Sequence, residues 1–343
     1  MADCFAGANT EVGYKGYLPD ILASADRVFI IKGSPGSGKS TLMKRVAETA
    51  ESEGHRVDRV FCSADPLSLD AVIVPGLSIA VADGTSPHTM DTPEVGIRET
   101  LIDIGRYLDT GVLAARAAEV RGIVREKKLR YAEAYKFISA AVNASRAAAD
   151  AVCRSLDREK LERYLDRLYA GHIRSGRKGD VEYRPAAAFT GRGREVADAF
   201  PEAETVYEVT RGRGSGSAVL SGLLRRAEAE GEETVVSPSE TDSESLNAVY
   251  FPGRAVLVCD SRLGFRADRH INMERFIKKD LLRTCSGFVR MAGTLASGLY
   301  DSAEERLREA GKLHGILECI YGEAMDFSGI DAEYNRIAAY IRA

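Results

Sequence analysis

Nine residues, Gly33-Ser-Pro-Gly-Ser-Gly-Lys-Ser-Thr41, constrain this chain more than any other segment. They satisfy G-x-x-x-x-G-K-[ST] at every fixed position: Gly33, Gly38, Lys39 and Ser40. Such a loop has meaning only between a strand and a helix, and both flanks qualify. Arg27-Val-Phe-Ile-Ile-Lys32 is a β-branched and aromatic run suited to a buried strand, and Leu42, Val46 and Ala50 recur at helical spacing. Glycines let the backbone turn successive N–H groups inward, at a helix N-terminus whose dipole also favours anions. The expected ligand is a nucleotide: Gly33, Ser34, Pro35, Gly36, Ser37, Gly38, Lys39, Ser40 and Thr41 would wrap its phosphates. Lys39 would meet the β- and γ-phosphates, and the Ser40 hydroxyl would coordinate Mg²⁺.

A loop of this kind also needs a carboxylate at the end of a neighbouring strand to hold the Mg²⁺ shell. Leu77-Ser-Ile-Ala-Val-Ala-Asp83 supplies it, making Asp83 the second metal candidate. Many ATPases carry a water-activating Glu directly after this Asp, but here the next residue is Gly84. Replacements are sought at the mouths of the strands, where open α/β sheets bind ligands. Asp65 follows a second expected strand, Val57 to Cys62. His88 sits in the polar loop after Asp83, and Asp70 falls in an expected short helix. Asp65 and His88 are the catalytic candidates beside Lys39; each is also readable as a cap or turn residue.

The sequence contains an internal repeat. Ser68-Leu-Asp-Ala-Val-Ile-Val-Pro-Gly76 returns as Ser245-Leu-Asn-Ala-Val-Tyr-Phe-Pro-Gly253, and Ile79–Asp83 returns as Val256–Asp260, at one offset of 177 residues. The phosphate loop aligns with Arg211-Gly-Arg-Gly-Ser-Gly-Ser-Ala-Val219, which puts Ser217 in the place of Lys39 and Ala218 in the place of Ser40. The second copy therefore reads as a pseudo-NTPase half. Arg211 and Arg213 could instead place a guanidinium beside the γ-phosphate of the first site, or be plain surface charges.

The 343 residues suit about two domains. The expected fold class is α/β: two P-loop NTPase-like halves, each a parallel-sheet, three-layer α/β/α unit with a long helical appendage. The expected boundaries are residues 1–170 for the active half with its appendage from about 112 to 170, a polar linker at 171–185, and 186–343 for the degenerate half with its appendage from about 270. The appendages carry heptad-like stripes, Tyr131 to Leu156 and Leu299 to Tyr321, which are expected to pack on each other or on their own domains. They are also candidate surfaces for a protein partner. His314 lies in the second stripe and reads as a core residue.

Lys plus Arg number 47 against 51 Asp plus Glu, a net charge of −4, so no global field draws the chain to nucleic acid or anionic lipid. The basic run Arg121 to Arg130 reads as a solvated helix face. Six scattered cysteines form no C-x-x-C pair, and the opening residues carry no basic and apolar leader, so free thiols and a cytoplasmic location with no membrane span are expected.

Cys4-Phe-Ala-Gly-Ala-Asn-Thr10, the run GSPGSGKSTLMK from Gly33, SLDAVIVP from Ser68, DGTSPH from Asp83 and Ala324-Met-Asp-Phe-Ser328 together resemble a bacterial family of ATPases with two tandem P-loop NTPase halves. The resemblance spans nearly the whole chain and implies binding of ATP with Mg²⁺, and ATP hydrolysis. It names no substrate or pathway. Relatives in that family tend to keep both loops intact, so Ser217 and Ala218 put a second nucleotide site in doubt. A small-molecule kinase using the same loop, or a nucleotide-gated interaction module with little turnover, are the rival readings. ATP is preferred over GTP because the nearest approach to an Asn-Lys-x-Asp pattern, Ile277-Lys-Lys-Asp280, lacks the Asn and lies in the other half.

Overall fold

The computed structural model describes residues 2–87, 89–90 and 94–342. The first half runs β1 (Cys4–Phe5), β2 (Gly7–Thr10), β3 (Gly13–Gly16), α1 (Leu18–Ile21), β4 (Arg27–Lys32), α2 (Lys39–Ser52), β5 (Asp58–Phe61), β6 (Leu69–Val74), β7 (Ile79–Asp83) and β8 (Glu99–Asp103). Three helices follow: α3 (Thr110–Ala115), the long α4 (Ala117–Cys153) and α5 (Arg158–Leu168). The second half runs β9 (Val181–Tyr183), β10 (Ala187–Thr190), β11 (Gly193–Val196), β12 (Thr205–Thr210), α6 (Ser217–Glu230), β13 (Thr234–Pro238), β14 (Leu246–Phe251), β15 (Val256–Asp260) and β16 (Arg269–Asn272). It ends in α7 (Lys279–Glu323) and α8 (Ser328–Ile341).

Two six-stranded sheets result, ordered β1-β5-β6-β7-β4-β8 and β9-β13-β14-β15-β12-β16. Order and strand sense correspond pair by pair. The sheets are mixed, which corrects the expected parallel sheet: β6 runs antiparallel to both β5 and β7. The cause is connection length. β5 and β6 are joined by a short turn, and β6 and β7 by a single 3₁₀ turn, Pro75–Leu77, whereas a parallel neighbour would need a crossover of a dozen residues or more. Asp70 consequently lies inside β6, buried, and not in a helix.

The three-layer expectation holds on one face only. Phe29, Ile31, Val72, Val81 and Ile102 of the first sheet pack against Leu42, Met43 and Val46 of α2. The opposite face, with Val28, Ile30, Ala71 and Ala80, is covered by the one-turn α1 and the chain around Cys4 and Ala6. The hairpins β2–β3 and β10–β11 meet across the halves, where the Asn9 side-chain amide donates to the Phe189 carbonyl at 2.9 Å.

The long helices α4 and α7 pack along each other through Ala134, Ile138, Val142, Ala303 and Leu307, so the two stripes do bury one another there. Each helix thereby carries the chain to the other sheet. Met325 and the α8 residues Ile330, Ile337 and Ile341 complete the core of the first half. Val152, Leu156 and the α5 residues Leu161, Leu165 and Leu168 complete that of the second. The exchange is held by matching backbone bonds. The Asp326 N–H donates to the Tyr107 carbonyl at 3.0 Å and the Asp109 N–H to Ala324 at 2.8 Å. Asp157 to Phe276, at 2.7 Å, and Lys278 to Ser155, at 2.8 Å, are their counterparts. Packing therefore crosses the boundary expected near 171–185. That segment is itself docked on the second half: Ile173 is fully buried, the Ser175 N–H donates to Glu232, and β9 pairs with β13.

No helix among the described residues is long and apolar enough to cross a membrane.

Candidate functional site

The loop from Gly33 leaves the C-terminal end of β4 and enters α2 at Lys39. Gly36 and Gly38 adopt φ of +68° and +87°, left-handed values at which a Cβ would be strained. The ring of the loop is closed by the Ser37 hydroxyl, which donates to the Ser34 carbonyl at 2.7 Å. The Lys39 ammonium donates to the same carbonyl at 2.7 Å and lies 3.6 Å from Asp83 Oδ2. Asp83 ends β7, directly beside β4 in register, and its other oxygen accepts from the Thr85 N–H at 2.8 Å and the Thr85 hydroxyl at 2.6 Å. Ser40 Oγ accepts the Leu69 N–H at 3.0 Å, which ties the start of α2 to β6. The three chemical groups expected together, an ammonium, a hydroxyl and a carboxylate, thus surround one loop.

Gly84 is held to be glycine by its surroundings. A Cβ there would lie 2.4 Å from the Ile30 side chain, so no glutamate fits after Asp83. Asp65 is committed to its own turn, accepting from the Leu67 N–H at 3.3 Å and the Ser68 hydroxyl at 2.7 Å, with Arg192 of the β10–β11 turn at 3.7 Å. His88 lies outside the described residues.

The long helices bring groups to this loop that its own half does not contain. The Glu318 carbonyl of α7 lies 2.2 Å from where a Gly36 Cβ would be, and the Phe327 ring 3.5 Å from the same point at Gly38. His314, expected in the core, is instead partly exposed at this end of α7. The Lys127 ammonium of α4 lies 3.2 Å from His314 Nδ1, and His314 Nε2 lies 3.7 Å from Glu318 Oε1. Burial first, then the Lys127 and Lys39 charges, push the imidazole down to about 4, so it is neutral near pH 7. Burial also raises the Glu318 carboxyl, helped by Asp65 and opposed by Lys39 and Lys127. Lys127 belongs to the basic run read as a solvated face, whereas Arg130 of that run is absorbed by Glu126, Glu133 and Glu309.

The corresponding loop of the second half is built differently. Arg211 and Arg213 take φ of +57° and +46°, and Gly214 lies against Ala149 of α4. Ser217 and Ala218 supply neither ammonium nor a hydroxyl at the metal position, and Asp260 is paired with Arg262 at 2.8 Å. Lys127 and Ala149 mark the two loops on α4 and stand about 33 Å apart at 1.5 Å per residue, so Arg211 and Arg213 do not reach the first loop.

Gly36→Ala is expected to destabilise the fold by about 1–3 kcal/mol, because the strained φ combines with a backbone carbonyl that cannot rotate away. Gly54→Ala, at φ +84° with open space around it, carries only the dihedral cost of about 1–2 kcal/mol. Paired thermal denaturation curves check the difference.

Residues 15–65 match the family model of the AAA domain. The matched stretch contains the whole loop and its flanking strand and helix, and supports a P-loop NTPase that binds a nucleotide, which AAA domains generally take as ATP with Mg²⁺. No curated protein and no solved structure matches the chain.

Proposed function

We propose that the chain is an ATPase that binds one Mg-ATP at Gly33–Thr41 and hydrolyses it, while the loop at Arg211–Val219 is a degenerate copy within a repeated α/β half. The observation that carries this reading is the convergence of Lys39, Ser40 and Asp83 on a loop with two left-handed glycines, an arrangement its counterpart at Arg211–Val219 lacks.

The residues fit the ligand. Lys39 donates to loop carbonyls that a phosphate would displace as its partners, and the buried Ser34 hydroxyl has no hydrogen-bond partner among the described residues. Ser40 and Asp83 are hard oxygen donors of the kind Mg²⁺ takes. When bound, the ion would screen the phosphate oxygens. The loop N–H groups and Lys39 would hold the β- and γ-phosphates in line for attack by water. The contact between Gly36 and Glu318 favours a second role in the same molecule, in which occupancy of the loop is felt by α7 and passed along the helix pair.

Isothermal titration with a non-hydrolysable ATP analogue tests the proposal. One Mg²⁺-dependent site per chain is expected; two equivalent sites, or none, would refute it. Phosphate release without an added acceptor separates hydrolysis from kinase chemistry.

A further inference from the structure

Among the described residues of its own half, neither position weighed for a water-activating group supplies one: Gly84 has no room for a glutamate side chain and Asp65 is engaged in its turn. The helix pair offers one. Around Glu318 the charged and titratable groups are Lys39 from α2, Asp65 from the loop after β5, Lys127 from α4 and His314 one turn back on α7. All come from elements packed at the same loop. The Glu318 carbonyl touches Gly36, so the helix turn bearing the carboxylate overhangs the loop directly.

The molecule contains its own control. The bridges Leu108–Met325 and Leu156–Ile277 are counterparts and set the correspondence between the long helices. In that register Tyr131 aligns with Tyr300 and Ile138 with Leu307, as their shared packing requires. Glu318 then corresponds to Ala149, His314 to Ser145 and Lys127 to Ala296. Ala149 stands against Gly214 through its Cβ and Cα, where Glu318 stands against Gly36 through its backbone carbonyl. Where the loop has lost its lysine and hydroxyl, the overhanging helices have also lost every titratable group of this set. A purely structural role in helix packing would not tie the two losses together.

Resting on the Mg-ATP reading, we propose that Glu318 is the catalytic base of hydrolysis, delivered to the first loop by the second half, and that His314 is its positioning residue. The Glu318 carboxylate accepts a proton from a water whose oxygen bonds to the γ-phosphorus. The bond from that phosphorus to the β–γ bridging oxygen breaks with its electron pair on ADP, and the proton passes from Glu318 to solvent. Lys127 donates to His314 Nδ1, which leaves the Nε2–H facing the Glu318 carboxylate at 3.7 Å.

Glu318→Gln should slow single-turnover hydrolysis at least about a hundredfold, the usual scale for loss of a general base. The Kd for the Mg-bound non-hydrolysable analogue should stay within about threefold of the parent. The acidic limb of the pH–rate profile should vanish in that variant and move to higher pH in His314→Ala, where the carboxylate no longer faces the Nε2–H dipole. Independently of turnover, the analogue should slow amide exchange in residues 314–322 of the parent and of Glu318→Gln. Parental hydrolysis in Glu318→Gln with unchanged Kd would overturn the base assignment and leave the ATP site standing. Absence of analogue binding in the parent would overturn both.

Discussion

Lys39→Ala is expected to lower Mg-ATP affinity, turnover or both at least about a hundredfold, the scale of removing a key charge-stabilising donor. The ammonium lies 2.7 Å from the Ser34 carbonyl and 3.6 Å from Asp83, and it is the positive side chain those groups converge on. Its loss leaves the loop carbonyls and Asp83 facing the phosphates uncompensated. The fold should survive, because Lys39 opens α2 and alanine is a good helix former. Calorimetric titration alongside far-UV circular dichroism separates the two effects. Wild-type turnover would remove the site from Gly33–Thr41. Ser217→Ala, the counterpart in the second loop, should leave binding unchanged.

The second large effect concerns stability and comes from outside the expected first domain. Ending the chain at Glu323 should prevent the first half from folding, although its loop, sheet and α2 would all be present. Met325, Ile330, Ile337 and Ile341 sit in one core with Phe29, Leu42 and Val46. Their loss exposes several side chains each worth about 2–5 kcal/mol, against a total stability of about 5–15 kcal/mol for a domain. Polar contacts are lost with them. Arg45 pairs with Asp331 at 2.7 Å and stacks on Tyr334, whose hydroxyl meets that of Thr49 at 2.7 Å. Protease resistance of the first half and analogue binding should both disappear. The milder Ile337→Ala should cost about 2–5 kcal/mol in denaturant titration while leaving nucleotide affinity intact. A truncated chain that still bound the analogue would show that α8 is dispensable.

Local strand and loop positions were legible in the sequence, and placement across the chain was not. The strand Arg27–Lys32 was readable to the residue because its apolar run is bounded by charges, and Asp83 because a buried strand ends there. Asp70 was misread because an acid within Leu69–Val74 looks out of place in a strand, yet it is buried there. Periodicity identified the faces of the helices after residue 112 but carries no information on which sheet buries them, so the exchange of α5 and α8 was invisible. Glu318 gave no signal of its own. His314 did give one, as a titratable residue breaking an otherwise apolar stripe, but its partner Lys127 lies on the other helix and 187 residues away.

The exchanged helices also govern how the protein is made. The first sheet emerges from the ribosome with one side of its core incomplete, and the helix that closes it is synthesised roughly 220 residues later, about 10–45 s at ~5–20 residues per second. Through that interval Phe29, Leu42 and their neighbours lack their α8 partners, while the second sheet already has α5 waiting for it. The nascent chain therefore assembles against its order of synthesis. The later half can finish first, and the half bearing the intact loop closes only when α7 has folded back along α4.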